Sequence, residues 1–188
     1  MKKTFSKIVL TAIFAQHIAS IFIGANSFEV YAASKTPKTS NAIAISTLGR
    51  VKDSRVMALE KVFAKYNSPL VPLAQTYVDT ADKYGIDWKL LPAISGLESS
   101  FGVYLMPNSH NAYGWGGGYI YFNSWEEGID KINATLKSNY YGRGANTVWT
   151  IGPIYAESPT WAVRVNSFME QIAFQYSQIE SKKVALTI

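Results

Sequence analysis

The sequence has no cysteine and only two histidines in 188 residues. Without cysteine there is no disulfide framework, thiol nucleophile, structural zinc–thiolate site or iron–sulfur cluster. Two histidines, His17 and His110, do not make a three-histidine metal site, and a Ser-His-Asp triad would rest on His110 alone. Charge is also sparse. Charged residues make up 16%, and no Lys/Arg run is longer than two, so the chain lacks the basic stripe of a nucleic-acid binder. No internal repeat is visible. Neither a metal nor a cofactor is expected. Carboxylates, tyrosines and backbone groups remain as catalytic material. What the chain has in quantity is apolar and aromatic: 48% hydrophobic residues, with five Trp and twelve Tyr. That is enough to hold one ordinary domain by packing alone.

The start of the chain reads as an export signal over residues 1–32. Lys2, Lys3 and Lys7 precede an apolar stretch from Ile8 to Gly24, and Val30-Tyr31-Ala32 forms a small-residue cleavage pattern. The stretch is 17 residues long, short for a spanning helix, and cleavage is expected after Ala32. The competing reading is an uncleaved anchor, the one way a membrane would become a partner. Either way the remainder works outside the cytoplasmic membrane, secreted and associated with the cell wall. Removing three of the 18 Lys+Arg and one of the 13 Asp+Glu leaves 15 against 12, a net +3, which suits an anionic wall. Residues 33–50, rich in Ser, Thr, Lys and Pro, read as a flexible linker.

A domain over residues 51–180 follows, with a tail at 181–188. From Asp53 the pattern is helical, with Val56, Leu59, Val62 and Phe63 on one face and a stop at Asn67-Ser68-Pro69. A second helix is predicted from near Pro69 to Tyr84, capped by Gly85. A third is predicted from Trp88 to about Ser100, with Asp87 as its N-cap and Pro92 in its first turns. Residues 102–122 break the pattern. Gly102, Pro107, Gly114 and Gly116-Gly117-Gly118, with the β-prone Tyr119-Ile120-Tyr121-Phe122, predict a loop with a small β-hairpin. Ser124 and Glu127 form a capping box for the next helix, which Gly142 and Gly144 end. A short segment near Val148 to Tyr155 precedes a last helix from Trp161 to about Ile179. The fold class is therefore mainly α, a small helical bundle with a minor β lobe.

Glu98 stands out chemically. In Trp88 to Gly102, Leu91, Ile94 and Leu97 make an apolar face, and Glu98 sits at its edge in the last helical turn. The negative end of the helix dipole and partial desolvation both favour a protonated carboxyl there, as a general acid requires. The plain alternative is a surface glutamate at a helix end.

The segments around it carry a resemblance. Glu98-Ser-Ser-Phe-Gly102 resembles the catalytic-glutamate motif of lysozyme-like peptidoglycan hydrolases and lytic transglycosylases. Asn111-Ala-Tyr-Gly-Trp-Gly116 is similar to the Asn-x-Phe/Tyr-Gly segment of the endo-β-N-acetylglucosaminidase family (glycoside hydrolase family 73) of bacterial walls. Phe122-Asn-Ser-Trp-Glu-Glu-Gly128 resembles the helix opening that comes next in that family, and Ile154-Tyr-Ala-Glu-Ser-Pro-Thr-Trp-Ala162 resembles its Tyr-Ala-Thr-Asp-Pro-x-Tyr-Ala segment. The segments stand in the family's order across about residues 70–175. Two departures are plain: Glu157-Ser158 replaces Thr-Asp, and Trp161 replaces Tyr.

The resemblance implies a lysozyme-like bundle that hydrolyses β-1,4 bonds of the peptidoglycan glycan strand as a monomer. Glu98 would be the catalytic acid and Tyr155 the tyrosine opposite it. Asn111, Tyr113 and Trp115 would belong to the sugar-contacting lobe, joined by Tyr119. Aromatic rings cover the flat C–H faces of sugars and amides bind their hydroxyls. The alternative for these aromatics is packing within the hairpin. For Trp125 and Trp161 core packing is the favoured expectation, and His110 is expected to be a solvated loop residue.

A second carboxylate, which glycosidases usually pair with the first, is not obvious. Glu157 and Glu126 are the candidates, since Glu127 has its capping role and Asp130 sits near the same helix start. A 2-acetamido substrate supplies its own nucleophile, and a lytic transglycosylase closes an internal anhydro ring with one glutamate. Three readings stay open: a glucosaminidase, a lytic transglycosylase cleaving after N-acetylmuramic acid, and a non-catalytic wall-binding module.

Overall fold

The computed structural model describes residues 52–187, all within the unit Gly49–Ile188. The expected signal, its cleavage point after Ala32 and the 33–50 linker lie outside the described residues, as does His17. Six α-helices follow one another among the described residues: α1 Ser54–Lys65, α2 Ala74–Tyr84, α3 Leu90–Ser99, α4 Trp125–Thr135, α5 Val148–Tyr155 and α6 Trp161–Thr187. None of them is long and apolar enough to cross a membrane.

The helix starts are written in short polar residues. Asp53 caps α1 by accepting the Arg55 backbone N–H at 2.8 Å. The Arg55 guanidinium then reaches Asp82 on α2 at 2.7 Å. A 3₁₀ turn, Val71–Leu73, leads into α2, and Gly85 ends it in the left-handed conformation at φ 63°. Asp87 does not begin a helix at Trp88. Its carboxylate accepts the Lys89 N–H at 3.0 Å, which closes one turn, and α3 starts at Leu90. Pro92 falls in that helix's first turn, where its missing N–H has no intrahelical partner to lose.

The Ser124–Glu127 device works with one change. Ser124 Oγ accepts the Glu127 N–H at 3.2 Å, but Glu127 reaches back to the Asn123 N–H, at 2.6 Å, instead of that of Ser124. After α4 the chain tightens through a π turn, Leu136–Tyr140, and a 3₁₀ turn, Tyr141–Arg143, before Gly144. At α5 a reciprocal capping box joins Thr147 and Thr150. The pattern Thr-x-x-Thr hid it, because the third residue is expected to be Glu or Gln.

The core is built around α6, which runs 27 residues and packs chiefly on α1 and α3. Leu59, Phe63, Ile94, Phe101, Val165 and Ile172 are all buried in it. Gly96 permits the closest approach: a Cβ there would lie 2.7 Å from the Phe101 ring and 2.9 Å from Phe168. Phe101 meets Phe168 edge-on with ring centroids 5.4 Å apart.

Two expectations are corrected. The residues at 181–187 are not a tail, because α6 continues past Ile179 to Thr187. Lys183 on this extension bonds Ser54 Oγ at the start of α1 and pairs with Glu180 at 3.6 Å. The hairpin in 102–122 is also absent, since no strand occurs among the described residues. Its two arms share the Phe122 N–H to Ser109 C=O bond, at 2.9 Å, and no ladder grows from it. The reason is the glycine run. Gly114, Gly116, Gly117 and Gly118 all take positive φ, between 61° and 86°, which coils the chain through left-handed turns over Trp115–Gly118 where extended pairing would require β angles.

Candidate active site

Helix α3 delivers Glu98 one residue before its end. The chain then leaves through two consecutive left-handed residues, Ser100 at φ 51° and Phe101 at φ 59°. For residues with a Cβ this costs roughly 1–2 kcal/mol each. The gain is position: Phe101 drops into the core, and its C=O accepts Ser68 Oγ at 2.6 Å. Ser99, buried, ties down the loop beyond. Its hydroxyl donates to the Ala112 C=O at 2.8 Å and accepts the Gly102 N–H at 2.8 Å. The end of α3 is thus sewn to both ends of the loop that faces it.

A cleft of about 420 Å³ opens there, lined by Glu98 and Ser99, by Tyr104, Leu105 and Met106, and by Asn111 with Gly114, Gly117 and Gly118. Its size is that of a ligand site. Glu98 is the one carboxylate among these lining residues. Its side chain is exposed, where the helical spacing predicts partial burial. The facing residues explain the difference, because glycines carry no side chain to cover it. Glu98 Oε1 accepts the Trp161 indole N–H at 2.8 Å. On the other oxygen, a Cβ at Gly114 would come within 2.8 Å of Oε2, so the carboxyl occupies room that only glycine leaves.

Tyr155 lies beside this pair. Its ring stacks on Trp161 with centroids 4.7 Å apart and planes at 25°, and its hydroxyl donates to the Tyr113 C=O at 2.8 Å. Burial first, then the nearby Glu98 charge, pushes the Tyr155 phenol well above its ordinary value. Burial does the same for Tyr113 and Tyr77. These phenols are neutral hydrogen-bonding groups and do not serve as bases near neutral pH.

Of the other predicted site residues, Asn111 lines the cleft with Glu98, and Tyr113, Trp115 and Tyr119 do not. Asn111 is 3% exposed. Its amide N–H groups go to the C=O of Trp115 and Ile120, at 2.8 and 2.9 Å, and its oxygen accepts the N–H of Tyr113 and Trp115, at 3.4 and 3.1 Å. All of its capacity holds the loop. Tyr113 is fully buried, its hydroxyl paired with that of Tyr77 at 2.9 Å, so neither side chain offers a surface to a sugar. Trp115 lines a separate hollow with Ile120, Tyr121 and Asp130, while its ring lies 5.7 Å from that of Tyr155. Tyr119 stands 76% exposed.

Glu157 lines a third groove with Trp149, Pro153 and Val163, and Glu126 is an exposed residue in the first turn of α4. Neither lines the cleft of Glu98. His110 is not a solvated loop residue. Its ring packs edge-on against Trp125 at 5.1 Å, and its Nδ1–H donates to the Phe122 C=O at 2.9 Å, since a carbonyl only accepts. Among the described residues no three His, Asp or Glu side chains gather as metal ligands.

Sequence reasoning missed Tyr104 and Met106, exposed at 75% and 44% on the cleft. The only available signal was the apolar run Val103-Tyr104-Leu105-Met106 between the turn formers Gly102 and Pro107-Asn108 just after Glu98, too short for a helix of its own. It also missed the Trp161 hydrogen bond. Compared with known proteins, the sequence matches no protein-family model, and no curated protein is significantly similar to it.

Proposed function

We propose that this chain is a secreted, wall-associated hydrolase of the peptidoglycan glycan strand, with Glu98 as general acid in a lysozyme-like helical bundle. The carrying observation is the carboxyl of Glu98, open to a 420 Å³ cleft and bonded through Oε1 to Trp161. In this reading the protonated carboxyl gives its proton to the glycosidic oxygen as the C1–O bond breaks, and the bond's electron pair stays with the departing oxygen. A glycan in the cleft also displaces water from around the carboxyl. The exposed Tyr104 and Met106 offer apolar surface to sugar faces.

The lone carboxylate of the cleft favours a nucleophile supplied by the substrate. In a glucosaminidase this is the 2-acetamido oxygen, which attacks C1 to give a cyclic oxazolinium that water then opens. In the second reading, a lytic transglycosylase, the substrate's own 6-hydroxyl attacks C1 and passes its proton to the Glu98 carboxylate, leaving an anhydro end. The resemblance of Ile154–Ala162 to the glucosaminidase segment supports the first.

The test is digestion of purified peptidoglycan with the mature protein, followed by mass analysis of the products. Products with reducing N-acetylglucosamine ends are expected. Anhydro-muramic ends would move the protein to the second reading. Binding to the wall without turnover would make it a non-catalytic wall-binding module.

A further inference from the structure

We propose that Trp161 is a positioning residue for the acid: its indole N–H favours the form of Glu98 that carries the transferable proton on Oε2, beside Gly114. This inference rests on the reading of Glu98 as an acid. An indole nitrogen has one hydrogen and no lone pair to accept another. It pairs best with a carboxylate oxygen or with the C=O oxygen of a carboxylic acid, which is a stronger acceptor than the acid's hydroxyl oxygen. With Trp161 Nε1 at 2.8 Å from Oε1, a proton on Oε1 would weaken the acceptor that the indole N–H uses. The O–H is left to Oε2, which occupies the space of the absent Gly114 side chain, at the wall of the cleft that Glu98 and Gly114 both line.

The indole is itself held from three directions. Trp161 is 3% exposed. Its face stacks on Tyr155 at 4.7 Å, and Tyr155 is anchored through its hydroxyl to the Tyr113 C=O at 2.8 Å. Tyr113 in turn meets Tyr77 of α2 at 2.9 Å. Gly152 of α5 lets that helix close on the start of α6, since a Cβ there would lie 3.0 Å from the Ala162 Cβ and 3.4 Å from the Trp161 ring. Helix α5 thus fixes the ring directly, and α2 steadies it through Tyr113 and Tyr155. The same bond serves after transfer: once Oε2 has given its proton to the leaving oxygen, the carboxylate still accepts from Trp161 through Oε1. Tyrosine, which stands at this position in the family the segment resembles, would present an O–H able both to donate and to accept. Tryptophan removes that choice.

Two measurements test this. In the first, the ¹H–¹⁵N indole cross-peak of Trp161 is followed from neutral to acid pH in wild type and in Glu98→Gln. The peak is expected to move with the carboxyl in wild type and to stop responding in the variant. A peak that ignores pH in wild type, or moves equally in both, overturns the pairing. This readout needs no substrate, so it decides the pairing separately from the activity, while a protein that turns over no glycan overturns the reading of Glu98 as an acid. In the second, Trp161→Phe keeps a stacking ring and deletes the N–H. With glycan turnover established, kcat is expected to fall on the order of tenfold, part of the 10²–10⁴ of general acid catalysis, with KM unchanged. Wild-type kcat in a folded Trp161→Phe protein overturns the positioning role. A rise in KM alone does so too, because it would mark Trp161 as a binding residue.

Discussion

Glu98 and Tyr104 line the same cleft, one from the last turn of α3 and the other from the loop after it, and they are supported in opposite ways. Behind Glu98, Ser99 and Phe101 are buried, and Trp161 holds one carboxyl oxygen. Tyr104 is 75% exposed, on a segment that forms neither helix nor strand. Glu98 thus stands on packed helices, where geometry is fixed by a core that cannot shift without loss. Tyr104 and Met106 stand on a turn-rich loop whose backbone is tied by the Tyr104 N–H to Ser99 C=O bond at 2.9 Å and the Ser109 N–H to Met106 C=O bond at 3.0 Å, with their side chains left open to solvent.

The largest break in this contrast comes from below Glu98. Phe101→Ala empties a site against Phe63 and Phe168 and is expected to cost about 3–5 kcal/mol, read as a lower midpoint in urea unfolding. A loss under about 1 kcal/mol would mean that the two left-handed residues, and not the ring, set the end of α3. Next is Glu98→Gln, which keeps size and packing but removes the proton. Turnover of glycan is expected to fall by roughly 10²-fold or more while the thermal midpoint stays level. Undiminished turnover would take the acid out of the mechanism.

Tyr155→Phe sharpens the comparison from the supporting side. Its hydroxyl is bonded to the Tyr113 C=O, so stability is expected to drop by about 0.5–1.5 kcal/mol, the net worth of a hydrogen bond. A fall in kcat with stability untouched would instead assign that hydroxyl to the transition state. On the opposite wall, Tyr104→Ala should raise KM about two- to tenfold, the range of one aromatic contact, with kcat and stability unchanged. A stability loss there would show the loop to be better packed than its exposure implies.

The smallest effect lies far from the cleft. The Arg55 hydrogen bonds hold the Asp53 carboxyl below its ordinary value. Asp53 therefore adds stability above the ordinary aspartate range, and that part is lost as pH falls through its lowered value. Asp53→Asn keeps an N-cap but not the charge. Its thermal midpoint should lie below that of wild type at neutral pH and converge with it in acid.

The scaffold was legible where short-range rules apply. Asp53, Gly85, Ser124 and the spacing of Val56, Leu59, Val62 and Phe63 mark helices within a few residues of where they run, because caps and 3.6-residue periodicity act locally. The loop was not. Gly116-Gly117-Gly118 permit either a hairpin or a coil, and the choice fell to Asn111, whose amide clamps the C=O groups of Trp115 and Ile120 from inside. Asn111 and Tyr113 stand in a segment that resembles a sugar-contacting lobe, and a segment match says nothing of which way a side chain points. Trp161 fitted the expectation of a core residue, and it is buried. Its second role depends on a bond to a residue 63 positions away, beyond any local pattern.

The long reach of α6 has a consequence for how the protein is made. Its partners α1 and α3 lie early in the described chain, and Lys183 returns to Ser54 at the very start of α1. The Lys183–Ser54 contact spans 129 residues and the Trp161–Glu98 bond 63, so they form only after α6 has been made. Until then Phe63, Ile94 and Phe101 lack their cover and Glu98 lacks the indole that orients it. The cleft is therefore complete only once α6 is in place, and before then nothing on α6 holds the Glu98 carboxyl.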